Sequence, residues 1–187
     1  MSFGVDQQFG FFTGGSADNH IYDEPLCAAL IEYLKDQQVQ SVADLGCGGG
    51  QYTRAIKDAG MECDGYDGNP NTVEMTNGLC SVLNLAEPVT LGRSYDCVLS
   101  LEVGEHLPKE FEEIFVDNVK RHSNRMIVVS WAIPNQSGLG HFNEQPNEYV
   151  QALFETHGFK RDIEAEKPLR AASKFHWFKN TILVFVK

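Results

Sequence analysis

The hydrophobic positions of this chain recur alternately at helical spacing and in short apolar runs. Residues 24–35 place apolar side chains three or four positions apart, and Pro25 suits the first turn of a helix. Residues 95–101 instead form a short apolar run, typical of a buried strand. The same patterns predict strands over residues 41–45, 61–67, 80–85, 95–101, 125–131 and 181–186, an extended segment over 159–169, and helices over 24–35, 51–59, 70–78 (or a turn), 109–120 and 146–156.

The order of these segments predicts a single α/β domain over residues 1–187. Strands that alternate with helices of 8–12 residues form parallel βαβ units. The last two strands have no obvious full helix between them, which favours an antiparallel hairpin at one edge of the sheet. We therefore expect a three-layer sandwich around a mostly parallel, seven-stranded sheet, with ligands bound beyond the carboxyl ends of the strands.

Charge and composition narrow the possible partners. A net charge of −11 opposes binding to a phosphate backbone, so no nucleic-acid partner is expected. The sequence shows neither a secretion signal nor an apolar run near the roughly 20 residues of a membrane span, which predicts a cytoplasmic protein without a membrane partner. The five cysteines form no C-x-x-C pair, so no disulfide framework and no metal site are expected. The oligomeric state is left open.

The strongest motif is a glycine-rich turn at residues 44–50, Asp-Leu-Gly-Cys-Gly-Gly-Gly, directly after a predicted strand. Gly48 and Gly50 carry no Cβ, so a ligand can approach the backbone closely. Position 51 is Gln, whereas the general dinucleotide pattern has a third glycine there, and no P-loop pattern is present. The turn alone allows any nucleotide-like ligand, or a glycine turn without one.

This turn resembles the first motif of the class I (Rossmann-like) methyltransferases of the small-molecule type, which depend on S-adenosylmethionine (SAM). Their pattern is acid-x-Gly-x-Gly-x-Gly, and the resemblance extends as an order of motifs over residues 24–187. It implies that the turn wraps the methionine end of SAM and that S-adenosylhomocysteine (SAH) is the product. The turn residues that it assigns to SAM are Asp44, whose acid would orient the amino group, Gly46, Cys47, Gly48 and Gly50.

The ends of the next two predicted strands extend the resemblance. Asp67 lies 21 residues after Gly46, where a carboxylate can accept from a ribose diol or cap a helix, and Gly68 allows close approach. Asn84 and Leu85 stand where the family commonly has an acid for the adenine amino group and an apolar residue against the ring. Asn84 departs from the acid, but its amide oxygen can still accept a hydrogen bond; a loop Asn without a ligand is the alternative.

The fourth predicted strand leads into a segment with acids and a histidine, which resembles the corresponding segment of small-molecule methyltransferases. The resemblance implies that Leu101 and Glu102 face the methionine end of SAM. His106 is a candidate base or substrate contact, with a structural histidine as the alternative. No Asp/Asn-Pro-Pro-aromatic motif stands here, which disfavours a nucleic-acid amino-methyltransferase.

The 13-residue loop 132–144 is the best candidate for the substrate site because it is long for its place. His141 is the first candidate proton acceptor, ahead of His106, since an imidazole titrates near neutrality. An idle surface histidine is the alternative. The residues predicted to contact substrate in and beside this loop are Trp131, Asn135, Gln136 and Asn143.

The first 22 residues combine aromatic side chains with glycines that can act as hinges. We expect this segment to be a lid in which His20 and Tyr22 close over SAM or substrate. A disordered tail, or one that packs into the core, is the alternative.

Together these motifs predict a methyltransferase that moves the methyl group of SAM to a small polar acceptor, with an amine as one option because the chain is acidic. The identity of the acceptor and the methylated element are left open. A non-catalytic SAM-binding protein or partner subunit is one alternative. An NAD-dependent oxidoreductase is another, disfavoured by Gln51.

Overall fold

The computed structural model describes residues 3–155 and 158–187. Residues 1, 2, 156 and 157 lie outside it, and with them the start of the predicted lid and the end of the helix predicted over 146–156. Among the described residues, no helix has the length and apolar character needed to cross a membrane.

A seven-stranded sheet runs through the centre of the fold, and a small antiparallel pair, β1 (Gly4–Val5) and β2 (Phe12–Thr13), lies apart from it. The strands of the large sheet are β3 (Ser41–Leu45), β4 (Glu62–Asp67), β5 (Cys80–Val82), β6 (Tyr95–Leu101), β7 (Ser123–Ser130), β8 (Lys160–Arg161) and β9 (Leu183–Val186). Their order across the sheet is β5-β4-β3-β6-β7-β9-β8. The first five strands in this order are parallel to one another, and β9 is antiparallel to both of its neighbours.

Helices cover both faces of this sheet, which gives the three layers that the sequence predicts. Successive strand residues point to opposite faces, so Val42 and Val128 pack on one side and Ala43 and Ile127 on the other. The helices are α1 (Glu24–Asp36), α2 (Gln51–Asp58), α3 (Thr72–Met75), α4 (Glu112–His122), α5 (Asn147–Phe154), α6 (Ile163–Ala172) and α7 (His176–Thr181). Helices α1, α2, α6 and α7 cover the first face, and α4 and α5 cover the second.

The C-terminal quarter differs from the prediction. The antiparallel edge is confirmed, but its two strands are joined by α6 and α7 instead of a hairpin, and the extended segment predicted over 159–169 is wrong beyond β8. Asp162 caps α6 by accepting a hydrogen bond from the N–H of Ala165. The helix includes Pro168, which removes one backbone donor, and Glu166 is buried in its inner face against Arg161.

Smaller differences concern element ends. The strand predicted over 80–85 stops at Val82, and the helix predicted from residue 109 begins with a 3-10 turn before α4. Helix α5 begins at Asn147, within the segment predicted over 146–156, and Pro146 occupies its N-cap position. These are shifts of a few residues, as expected where helix ends fray into turns.

Candidate functional site

A cavity of about 410 Å³ opens at the carboxyl ends of β3, β4 and β6. It lies where the strand order reverses, because β3 continues through β4 to β5 on one side while β6 continues to β7 on the other. Its size is that of a small-ligand pocket. The predicted site residues that line it are Asp44, Gly46, Cys47, Gly48, Asp67, Gly68, Asn84, Leu85, Leu101, Glu102, His20, Gln136, His106 and His141.

One end of the cavity, here called the glycine end, is formed by Asp44, Gly46, Gly48 and Asp67. The backbone of Gly46 and Gly48 has φ of +84° and +52°, a conformation that other residues rarely adopt. A Cβ on Gly46 would lie 2.3 Å from Val103. The backbone turn therefore requires glycine for both conformation and space.

The Asp67 carboxylate fixes the glycine turn. Its two oxygens accept hydrogen bonds from the N–H groups of Gly48 and Asn69, each at 2.9 Å. Asp67 is 9% exposed, at the carboxyl end of β4. The predicted acid at this strand end thus lines the cavity, and in the structure it also orders the turn.

Asp44 is buried at the base of the same end. Its carboxylate accepts a hydrogen bond from the Thr53 hydroxyl at 2.7 Å. Burial raises the pKa of Asp44 to about 7, although the bond from Thr53 opposes this shift. A cationic group of a ligand would favour the charged form, so Asp44 is poised to respond to one.

Asn84 and Leu85 lie at the wall beyond β5. The side-chain oxygen of Asn84 accepts from the N–H of Ala86 at 3.0 Å, and its amide group donates to Glu87 at 3.2 Å. The remaining lone pair of that oxygen is the acceptor that a base-like ligand would meet.

Another part of the cavity, here called the histidine end, is lined by His106 and His141, and the fully buried Glu105 lies beside these two rings. Their metal-binding or proton-binding atoms all lie within 4.8 Å of one another. Glu105 and His106 belong to a 3-10 turn after β6, and His141 comes from the long loop after β7. Backbone N–H groups of Phe142 and Asn143 donate to the Glu105 carbonyl at 2.8 and 2.9 Å, which joins the two segments.

Burial sets the charge at the histidine end. It lowers the pKa of His106 to about 4, and His141 adds to this shift, so His106 is neutral near pH 7. Burial also raises the pKa of Glu105 well above its usual range, with Glu102 adding like-charge repulsion. His141 contacts the Glu144 carboxylate through Nδ1 at 3.0 Å.

Glu102 also lines the cavity, in a strained backbone conformation with φ of +53°. Its backbone N–H donates to the Ser130 hydroxyl at 2.8 Å, which holds the residue after β6 against the end of β7. Its carboxylate accepts hydrogen bonds from Gln136 and Thr181. Burial raises the pKa of Glu102, so it is a partnered acid with a tendency to hold a proton.

The N-terminal segment lies over this cavity. A Cβ on Gly48 would lie 2.6 Å from the His20 ring, and one on Gly68 would lie 2.5 Å from Phe11, so both residues sit directly on the glycines. Side chains of Gln51 and Asn69 donate to segment carbonyls, at Ala17 and Gly14, each at 3.0 Å. Phe9, Gly10, Phe11, Phe12, Asn19 and Ile21 also line the cavity.

Two residues predicted to contact substrate are structural. Trp131 is buried, and its indole N–H donates to the Asn143 carbonyl. The Trp131 ring lies so close to Gly104 that a Cβ there would be 2.3 Å away. Asn143 is buried as well, and its side chain donates to Glu112 at 2.8 Å. Both hold the turn that carries Glu105, and neither lines the cavity.

Three more predicted residues also lie off the cavity wall. Tyr22 packs edge-to-face on Tyr52 with ring centroids 5.1 Å apart, because it begins the core contacts of α1. Gly50 is the N-cap of α2, with φ of +74°. The Asn135 backbone N–H donates to the Glu144 carboxylate at 2.8 Å, so Asn135 takes part in hydrogen bonding within the loop.

Glu105 is the functional candidate that the sequence analysis missed. A charge in sequence is normally read as exposed, yet Glu105 is fully buried. Its spacing in Glu102-Val-Gly-Glu105-His106 was the available signal, since an acid beside a histidine in a segment that follows a buried strand is a candidate site. Trp177 and Phe178 also line the cavity.

Sequence and structure comparisons give consistent results. Residues 19–125 match the family model described as "Methyltransferase domain". No match was found among curated protein sequences.

Solved methyltransferase structures share the fold. The magnesium protoporphyrin IX methyltransferase of Synechocystis PCC 6803 with bound SAH has a TM-score of 0.64 and 17% identity, over 86% of this chain and 81% of that chain. The sugar N-methyltransferase KedS8 of Streptoalloteichus sp ATCC 53650 has a TM-score of 0.69 and 13% identity, over 88% and 87%. The small RNA methyltransferase HEN1 has a TM-score of 0.67 and 14% identity, over 86% and 24%.

Proposed function

The chain belongs to the methyltransferase-domain family, and from that premise we propose that it transfers the methyl group of SAM to a small polar acceptor. SAM supplies a methyl carbon bonded to a positively charged sulfur. In the transfer, the carbon–sulfur bond breaks, a bond from that carbon to the acceptor forms, and SAH leaves with the electron pair. A protonated acceptor releases its proton in the same reaction.

The observation that carries the proposal is the glycine end, whose groups match the parts of SAM. Gly46 and Gly48 have no side chain, so a ligand can approach their backbone closely. The Asp44 carboxylate can bind the ammonium group of SAM, and the Asp67 carboxylate can accept hydrogen bonds from its ribose diol. The Nε2 atom of His20 is buried in the cavity wall without a hydrogen-bond partner among the described residues. A polar ligand would supply that partner.

The residues around SAM have mainly to align the acceptor with the methyl group and to exclude water. Phe9, Phe11 and Phe12 line the cavity from the N-terminal segment, and Trp177 lines it from α7. We propose that the described part of the N-terminal segment acts as a lid, since its contacts with Gly48 and Gly68 would separate the glycine end from solvent.

The acceptor is proposed to bind at the histidine end. His141 and His106 are the proposed proton acceptors, in that order, because both rings line the cavity and His106 is neutral near pH 7. Gln136 lines the same region and orients Glu102. An amine or hydroxyl acceptor suits these groups, since both need a partner for a proton.

Two alternatives make different predictions. A non-catalytic SAM-binding protein would bind SAM at the glycine end and form no SAH with any acceptor. An NAD-dependent oxidoreductase would bind a nicotinamide cofactor, which the Gln51 position disfavours. An enzyme is favoured by His106 and His141, which line the same cavity as the glycines and lie beside the buried Glu105.

The test has two steps. We expect SAM and SAH, but not NADH, to raise the melting temperature of the purified protein, because a ligand that binds only the folded state stabilises it. The protein with labelled SAM and a metabolite extract should then form SAH and a labelled small molecule. A melting temperature that SAM leaves unchanged would overturn the proposal, and binding without turnover would leave the non-catalytic alternative.

A further inference from the structure

The histidine end brings together three side chains of the kind that bind metal ions. One carboxylate and two imidazoles, from Glu105, His106 and His141, offer ligand atoms that all lie within 4.8 Å of one another. They come from two segments about 35 residues apart, and the hydrogen bonds to the Glu105 carbonyl hold those segments together. Such a cluster indicates a metal-binding site only if its polar groups lack other hydrogen-bond partners.

Glu105 is unsatisfied. Its side chain is fully buried, and neither carboxylate oxygen has a hydrogen bond of full geometry among the residues that the structure describes, although the Ala132 backbone and the Glu102 carboxyl lie close enough to interact with it. Buried carboxylates are normally paired or bind a cation, because removal of the charge from water is costly. Glu105 is not itself part of the cavity lining, and no Lys or Arg is among the described residues that line the cavity beside it.

Both histidines have the hydrogen bonds at Nδ1 that are typical of metal ligands. His106 has its Nδ1 atom 3.1 Å from the Gly140 carbonyl, and His141 has its Nδ1 atom 3.0 Å from the Glu144 carboxylate. Each acceptor favours the tautomer with a proton on Nδ1, which leaves the lone pair on Nε2. Metal-binding histidines typically donate their other ring N–H to a carbonyl or carboxylate in this way.

Gly138 provides the space for one of these rings. A Cβ at this position would lie 2.2 Å from the Nε2 atom of His141 and 2.6 Å from two of its ring carbons. The His141 ring therefore lies directly against a residue that has no side chain. The loop places the imidazole through close packing as well as through Glu144.

From these observations we propose that Glu105, His106 and His141 bind one divalent transition-metal cation at the histidine end. Two imidazoles and one carboxylate suit ions such as Mn²⁺, Fe²⁺ or Zn²⁺ better than Ca²⁺, which prefers oxygen ligands. Three protein ligands leave coordination positions open toward the cavity. Glu102 is not part of the ligand set, because its oxygens already accept from Gln136 and Thr181.

The cation would define the class of acceptor. A metal ion holds an oxygen of its ligand and lowers the pKa of a bound hydroxyl or water. The acceptor is then a molecule with a hydroxyl or carboxylate oxygen beside the methylated atom. This second part rests on the proposed function, whereas cation binding does not. A lone pair that binds a cation cannot also take a proton, so in the cation-bound protein the proton of a bound hydroxyl would pass to water instead of to His141 or His106.

The experiment uses the full chain after treatment with a chelator and dialysis. Isothermal titration with MnCl₂ and, separately, ZnCl₂ should show one site per chain. Glu105→Gln and His141→Gln should weaken binding about 100-fold or more, since loss of even an outer-sphere partner costs about 10- to 100-fold. His176→Gln and Glu110→Gln are matched controls, because both residues are exposed and lie outside the cluster, and they should bind as the wild type does.

The outcomes separate this inference from the proposed function. Absence of binding by the wild type, or equal binding by wild type and both cluster variants, would overturn the cation site. If Glu105→Gln does not fold, His141→Gln, which alters a loop residue, decides the matter alone. SAM binding is measured on the same samples: a protein that binds SAM but no cation retains the proposed function without the site.

Discussion

The two ends of the cavity are built in different ways. The glycine end comes from one continuous stretch, β3 to β4, and its acids Asp44 and Asp67 both have hydrogen-bond partners. The histidine end joins two distant segments, and the carboxylate of its acid Glu105 has no hydrogen bond of full geometry among the described residues. At the glycine end the backbone turn and its acids are already hydrogen-bonded, whereas the histidine end contains buried polar groups for which a ligand would supply the partners.

This difference predicts that the two ends can be damaged separately. A change at the glycine end should weaken SAM binding and leave cation binding intact. A change at the histidine end should reduce turnover and leave SAM binding intact.

The largest effect is expected from Asp67→Ala. The substitution removes the acceptor for the Gly48 and Asn69 N–H groups and the proposed partner of the ribose, so the dissociation constant for SAM should rise about 100-fold. Isothermal titration with SAM measures this change. Asp58→Ala, at an exposed acid at the end of α2, is the control. An Asp67→Ala protein that folds and binds SAM as the wild type does would remove Asp67 from the site.

A change of about 30-fold is expected from Gly138→Ala, in turnover alone. The new Cβ would displace the His141 ring, so kcat/KM should fall by about 30-fold while SAM affinity stays within about twofold. Gly4→Ala is the matched control, because a Cβ there makes only an ordinary contact at 3.4 Å. Parallel loss of SAM affinity would show that the two ends are not separate.

Asp44→Asn should have two effects of opposite sign. Loss of the carboxylate should weaken SAM binding about tenfold, since the amide no longer attracts an ammonium group. The protein without ligand should become more stable than the wild type above neutral pH. The reason is that the folded pKa of Asp44, about 7, exceeds its ordinary value of 3.8.

The sign of this pH effect follows from proton binding. Below pH 3.8 the carboxyl is protonated in both states, and between 3.8 and about 7 the folded state holds the proton that the unfolded state loses. Wild-type stability therefore falls as pH rises through this window, whereas Asp44→Asn avoids the fall. Melting temperatures of both proteins at pH 5 and pH 8 measure this fall. If the melting temperature of Asp44→Asn minus that of the wild type does not increase from pH 5 to pH 8, the raised pKa of Asp44 is contradicted.

The smallest effect is expected at the lid. His20→Ala removes the ring that packs on Gly48, so SAM should dissociate about threefold faster, with little change in the association rate. Stopped-flow competition between SAM and SAH gives both rates. Gln8→Ala, at an exposed position of the same segment that is not part of the cavity wall, is the control. Unchanged dissociation in His20→Ala would mean that the segment is a fixed wall rather than a lid.

The residues of the glycine end could be grouped from the sequence because the information that brings them to one cavity is local. Strand, turn and acid lie within residues 41–67, and the glycines are required by positive φ at the turn itself. The layered α/β fold followed from the same local patterns of hydrophobic spacing.

The histidine end was only partly predictable because it depends on long-range packing. Trp131 and Asn143 have the side chains of substrate ligands, yet the Gly104 and Glu112 contacts turn both into supports. Glu105 became a candidate only once its complete burial was known. Likewise, α6 was missed because Pro168 interrupts the pattern and Glu166, a buried acid, occupies the inner face where an apolar residue is expected.

The separation of the two ends is decided by the dissociation constant for SAM of the wild type, Asp67→Ala and Glu105→Gln, measured by isothermal titration on chelator-treated protein. We expect one SAM per wild-type chain, about 100-fold weaker binding for Asp67→Ala, and binding within about twofold of the wild type for Glu105→Gln. A wild-type protein that does not bind SAM would contradict a SAM site at the glycine end, and a Glu105→Gln protein that loses SAM as completely as Asp67→Ala would contradict the separation.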